Sequence, residues 1–154
     1  MNATFTRSTV LSLLTIFVLT GCGAMNDGVD IGFKIGQGKG LMKMKKFAEA
    51  DKDFDLALAK IDKDEEDKSL PTIVATSFRA HVFAAKAVLY TKQDRKEDAI
   101  KYFEKSKQLF ESEPKLTHTA KEHFKECLLA YADLLRSEDK KEEAAKLDEQ
   151  RTKL

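Results

Sequence analysis

The chain has 154 residues, carries 27 basic against 26 acidic side chains, and is 34% charged. The signs are interspersed, which excludes a basic stripe for nucleic acid and an acidic tail. Two prolines, no tryptophan, and an excess of Ala, Leu, Lys and Glu over Val, Ile and Tyr give an all-α composition of single-domain size.

The first stretch stands apart from the rest. Arg7 is the only charge before Asp27, and Val10 to Leu19 is apolar apart from Ser12 and Thr15. A charge followed by a short apolar run is the pattern of a secretory signal peptide. The run is about half of the ~20 residues a membrane-spanning helix needs, so export is expected rather than a retained span.

The run closes on Leu19-Thr20-Gly21-Cys22, which resembles the bacterial lipobox. By that resemblance residues 1–21 are removed, Cys22 carries covalent lipid, and the chain becomes a lipoprotein of the cell envelope. Several acyl chains exceed the two signals that stable anchoring requires. The resemblance also implies a destination. An aspartate after the lipidated cysteine tends to hold Gram-negative lipoproteins at the inner membrane, and Gly23 stands there instead. The outer membrane, facing the periplasm, is the expected site in such a host; otherwise it is the outer face of the cell membrane. Loss of residues 1–21 removes Arg7 and leaves basic and acidic residues balanced. Cys127 is then without a partner in the chain. Its neighbours Phe124, Leu128 and Leu129 point to a buried thiol, the alternative being an intermolecular disulfide.

Residues 22–30 read as the lipidated cysteine and a small, polar tether, which holds the folded part (31–154) close to the bilayer. Six helical segments are expected near residues 31–44, 46–61, 71–92, 95–111, 114–136 and 139–153, in three antiparallel pairs. Pro71 and Pro114 suit first-turn positions, with Ser69 and Ser112 near enough to cap. The charge run Asp62 to Lys68 reads as a solvated loop. The first segment is the weakest, because Gly32, Gly36, Gly38 and Gly40 would each cost about 1 kcal/mol in a helix interior. It is expected to fray or to begin only near Gly38. These glycines do not form a phosphate loop, since no strand precedes them and no Gly-Lys-Ser/Thr follows.

An internal repeat carries the most information. A shift of 45 residues lays Asp94, Lys96, Glu97, Ala99, Lys101 and Glu104 on identical residues at 139, 141, 142, 144, 146 and 149. A shift of 49 lays Ala50 on Ala99 and Phe54 on Phe103. The small residues Ala50, Ala99 and Ala144 let the two helices of each pair approach closely. Phe54 and Phe103, one turn on, would wedge against the next pair.

Phe47, Ala50, Phe54 and Ala57, then Phe83, Ala87, Tyr90, Ala99 and Phe103, then Ala132, Leu135 and Ala144 resemble the tetratricopeptide repeat family. The resemblance implies a right-handed α-solenoid of about three helix pairs. The chain departs from the family at the turn glycine, replaced by Lys45, Asp94 and Asp139. The spacings are also longer than the usual 34 residues, and Asp148 replaces the third aromatic, which suits a terminal cap. In this family the inner helices line a groove for peptide segments. By resemblance that groove would show His81, Ala84, Val88, Thr91 and Lys92, then Glu126, Leu129, Asp133 and Arg136. The lysine and asparagine pair that clamps a C-terminal carboxylate in some members is missing at the matching places, so such a ligand is not expected.

The remaining chemistry-bearing residues read as ordinary surface. His118 and His123 are five apart, which turns them about 140° from one another on a helix, so no zinc site is expected and both read as exposed polar side chains. Asp51-Lys52-Asp53-Phe54-Asp55 and Asp62 to Glu66 lack the turn glycine and distal glutamate of a calcium loop. No nucleophile has a base beside it, so no enzyme, no cofactor and no metal is expected. The expected function is that of a lipid-anchored envelope adaptor or scaffold holding an unidentified partner protein, as in assembly of a secretion, pilus or cell-wall complex. The alternative is an accessory subunit with redox or metal chemistry at Cys127 or the histidines.

Overall fold

The computed structural model describes residues 28–154. The expected signal peptide, the expected lipidation site Cys22 and residues 23–27 of the expected tether lie outside them. Six helices account for the described residues: α1 (28–43), α2 (Phe47–Glu66), α3 (Thr72–Lys92), α4 (Lys96–Ser112), α5 (His118–Ser137) and α6 (Lys141–Thr152). Each helix from α2 to α6 packs on its neighbours in sequence, and α3 also touches α5.

The three expected turns share one geometry. Lys45, Asp94 and Asp139 take the left-handed conformation, with φ of 60°, 59° and 60°. In each, the next residue donates its N–H five residues back: Lys46 to Leu41, Arg95 to Tyr90 and Lys140 to Leu135, at 3.0, 2.9 and 2.9 Å. That residue's carbonyl then accepts the N–H of Ala50, Ala99 or Ala144 at 3.0 to 3.1 Å, starting the second helix. These are Schellman closures, where glycine is the usual occupant because it has no Cβ to crowd the carbonyl. Lysine and aspartate hold the conformation here because packing on both sides determines it.

Several sequence expectations need correction. The charge run is helical through Glu66, and the chain turns only at residues 67–70. Ion pairing explains the extension: Arg79 of α3 reaches Asp62 at 2.8 Å and Glu65 at 2.9 Å, and Lys60 holds the buried Asp64 at 2.9 Å. Lys68 closes α2 with a φ of 58°, and Asp64 O accepts from Ser69 and Leu70 N–H at 2.9 and 3.0 Å. Ser69 Oγ also donates to Asp64 O, so it finishes α2 and does not cap α3; Pro71 occupies the cap position of α3. Pro114 lies in the connection before α5, not in its first turn. The cap there is Thr117, which accepts from Ala120 N–H at 3.2 Å, while Ser112 is the last residue of α4.

The glycine-rich α1 is helical from residue 28, so the last three tether residues belong to it. Its buried stripe is Ile31, Ile35, Gly38 and Met42, spaced at helical period. Gly38 explains how α1 docks. A Cβ there would stand 2.5 Å from Phe54 Cε1, whereas nothing lies within 4 Å of one at Gly32, Gly36 or Gly40. Gly38 therefore joins Ala87 and Ala132 as the small residue of each pair's first helix, all twelve residues before Ala50, Ala99 and Ala144.

One apolar core runs from Ile31 to Leu147. Of the packing residues expected from sequence, Ala50, Phe54, Ala57, Ala87, Tyr90, Ala99, Phe103, Ala132, Leu135 and Ala144 are buried. Phe47 and Phe83 are half-buried, Phe83 meeting Tyr102 edge-on at 5.7 Å. Ring pairs Phe103–Tyr131 and Phe110–Phe124, at 5.0 and 4.9 Å, join α4 to α5. At the register of Ala57 in the second pair stands Ser106, fully buried, whose hydroxyl donates to Ala80 O at 2.8 Å and so satisfies itself against α3. Asp148, at the aromatic register of the third pair, forms ion pairs with Arg136 and Arg151 on the outer side of the last hairpin.

Candidate binding groove

Helices α1, α3 and α5 are the first members of their pairs, and their side chains meet along one groove. At its centre the rings of His81 (α3) and His123 (α5) stack with centroids 3.7 Å apart, and Lys39 Nζ of α1 lies 2.8 Å from His81 Nε2. A lysine ammonium can donate only to a ring nitrogen without a proton, so this contact calls for neutral His81 protonated at Nδ1. Burial, then the charges of Lys39 and His123, push His81 down from 6.5 to about 3. Burial followed by Lys39 lowers His123 as well, against a smaller opposing effect of Glu126. Lys39 is itself lowered by burial and partly restored by Glu126.

On either side of the histidine pair the groove opens into a cavity. One, of about 290 Å³, is walled by Lys39, Met42 and Lys43 of α1, by Ala84, Val88 and Lys92 of α3, and by Glu126 and Cys127 of α5. The other, of about 240 Å³, lies between the N-terminal halves of α3 and α5, where Ile73, Val74, Phe78 and Leu116 make it apolar, with Glu113 and Lys115 at its rim. His81 and His123 border both.

Of the nine groove residues expected from sequence, His81, Ala84, Val88, Lys92 and Glu126 line these cavities. Leu129, Asp133 and Arg136 continue the exposed stripe of α5 beyond them, and Arg136 is engaged with Asp133 and Asp148. Thr91 turns its hydroxyl onto Ala87 O at 3.0 Å. His123, expected as an exposed side chain, is half-buried in the stack, while His118 is exposed. Lys39, Met42 and Lys43 escape sequence reasoning because Gly32, Gly36, Gly38 and Gly40 make α1 the weakest helix by propensity. The signal was nonetheless there: the shift of 49 that lays Ala50 on Ala99 also lays Lys43 on Lys92 and Lys39 on Val88.

Two further groups define what the molecule can do chemically. Cys127 is 2% exposed, its thiol directed to Ser106 Oγ at 3.3 Å, and burial pushes it up to about 11. A thiol in that state is a poor nucleophile and a poor metal ligand. Lys86, 2% exposed, sits between α2 and α4 with Asp51 at 2.7 Å and Asp55 at 2.5 Å. Burial alone would favour the neutral amine, but the hydrogen bonds that Lys86 donates to the two carboxylates outweigh it and hold Lys86 charged. It ties α3 to α2 and is not a base. Among the described residues no three His, Cys, Asp or Glu side chains are grouped so as to hold a metal ion. Compared with family models, with curated proteins and with solved structures, the chain matches none.

Proposed function

We propose that the protein is a lipid-anchored envelope adaptor, held to a membrane through Cys22, whose helix pairs form a tetratricopeptide-like solenoid presenting the α1–α3–α5 groove to a partner protein. The observation that carries this reading is the groove itself: three first-of-pair helices side by side, with apolar and charged side chains left open to solvent. The solenoid reading draws on the three matching turns, the shared register of Gly38, Ala87 and Ala132, and the contact between α3 and α5. In a solenoid each pair packs on the next and the last pair carries a polar outer face; the Asp148–Arg136 pairing is of that kind. The lipid anchor rests on Leu19-Thr20-Gly21-Cys22 and Gly23 alone, which also favour the outer membrane facing the periplasm.

Affinity capture after crosslinking on the native membrane tests the adaptor role. A reproducible protein partner, crosslinked to residues of the groove, is the expected result, and recovery of the chain alone sinks the reading. Membrane fractionation tests the anchor independently. Cys22→Ser should move the protein from the membrane to the soluble fraction, since one residue then removes every acyl chain.

A further inference from the structure

The two ends of the groove differ in chemistry, and the difference selects a partner. Toward the C-terminal ends of α1 and α3 it is cationic: Lys39, Lys43 and Lys92 face it, against the single carboxylate of Glu126. Among the described residues none of these three lysines has a carboxylate within ion-pairing distance, although many other cations are paired: Arg79, Lys86, Lys96 and Lys107 all hold one. Toward the N-terminal ends of α3 and α5 it is apolar, and Ile73 and Val74 there are 51% and 37% exposed.

We infer that the groove takes an extended segment of the partner polypeptide in which a run of apolar side chains adjoins a run of acidic ones, the apolar part seated at Ile73, Val74 and Phe78 and the acidic part among Lys39, Lys43 and Lys92. This deepens, and rests on, the adaptor reading. From Ile73 to Lys92 the groove follows α3 for about 28 Å at 1.5 Å per residue, which matches about eight residues of extended chain. A polypeptide fits better than an anionic amphiphile, because a continuous acyl tail laid on half-exposed Ile73 and Val74 would keep much of its own surface in water. Separate side chains can instead bury their tips and leave a solvated backbone. An anion among the lysines would also add counter-charge to the half-buried Lys39, which Glu126 supplies only in part and neutral His81 not at all.

Fluorescence anisotropy with the whole chain and short labelled peptides provides the test. The probes are peptides joining leucines to glutamates in both orders, of which the tighter binder is taken forward, its counterpart with glutamine for glutamate, and octanoate as an unlabelled competitor. The glutamate peptide should bind at least about ten-fold more tightly than the glutamine peptide, with an affinity that falls as salt rises. The double variant Lys43→Glu/Lys92→Glu, whose two side chains are exposed and outside the core, should lose about ten-fold in affinity and regain it for a lysine-containing peptide. Val74→Glu should weaken every peptide. Equal affinity for the glutamate and glutamine peptides, indifference to the charge reversal, or displacement of peptide by octanoate at matching concentration would overturn the proposal. If membrane capture finds a partner whose crosslinked segment lacks acidic residues, the adaptor stands and this inference falls. If capture finds none while the glutamate peptide binds, the groove's selectivity stands but the adaptor role, and with it the assignment of that segment to a partner, falls.

Discussion

His81 shows how much a single residue's role depends on distant parts of the chain. Nothing within a few residues of it is charged except Arg79 and Lys86, and neither faces it. Its partners are Lys39, forty-two residues earlier, and His123. Because the folded ring resists protonation down to about 3 while an unfolded histidine titrates at 6.5, the unfolded chain binds more protons between those values. Stability should therefore fall as pH drops through that window and be fully recovered above it. The slope is at most about 1.4 kcal/mol per pH unit, and smaller here because the groove admits water. His123 adds to the same trend, and Glu126 opposes it. Urea midpoints measured from pH 7 to pH 4 should show the decline. His81→Gln should flatten it, and an unchanged slope in that variant would assign the decline to other groups.

At the scale of an element, α1 is the instructive case. Four glycines argued against it by propensity, and propensity yielded to packing, as it does when a helix buries a regular stripe. The glycines are not equivalent. Gly38 has no room for a Cβ beside Phe54, while Gly32, Gly36 and Gly40 face open space. Gly36→Ala should raise stability by about 0.5–1 kcal/mol. Gly38→Ala should lower it by about 1–3 kcal/mol, since the Phe54 ring is fully buried and cannot move without disturbing α2. Chemical denaturation of the two variants checks both signs. Stabilisation by Gly38→Ala would mean that α1 does not seat against Phe54. The α2–α3 connection teaches the converse lesson. A run of charges looked like loop, but Arg79 and Lys60 neutralise it at short range, and helix propensity then carries α2 to Glu66.

Across the whole molecule, burial is uneven: the first helices of the second and third pairs, α3 and α5, carry most of it and the last helix the least. α3 contributes nine buried residues and is apolar enough, by length and composition, to cross a membrane; here it is the helix on which α2, α4 and α5 pack. α6 contributes only Ala144 and Leu147. Local opening should follow that contrast between α3 and α6, so backbone amides of α6 should exchange with solvent at least about ten-fold faster than those of α3. Hydrogen exchange read by mass spectrometry gives the comparison, and equal protection of the two helices would show that the last hairpin unfolds only with the whole. The sequence by itself determined the helical class, the three turns and the small residues that pack behind them. Those depend on steric demands spaced along the chain, visible as a shift of 49 and then 45 residues. Resemblance to a repeat family, and not the residues by themselves, pointed to one wall of the groove, where His81, Ala84, Val88 and Lys92 share a face of a single helix. Only the tertiary structure decided that α1 forms and supplies Lys39 and Lys43. Only it could pair His81 with His123 and separate the apolar end of the groove from the cationic one. Those features depend on which helices lie side by side, and helical period alone carries no record of that.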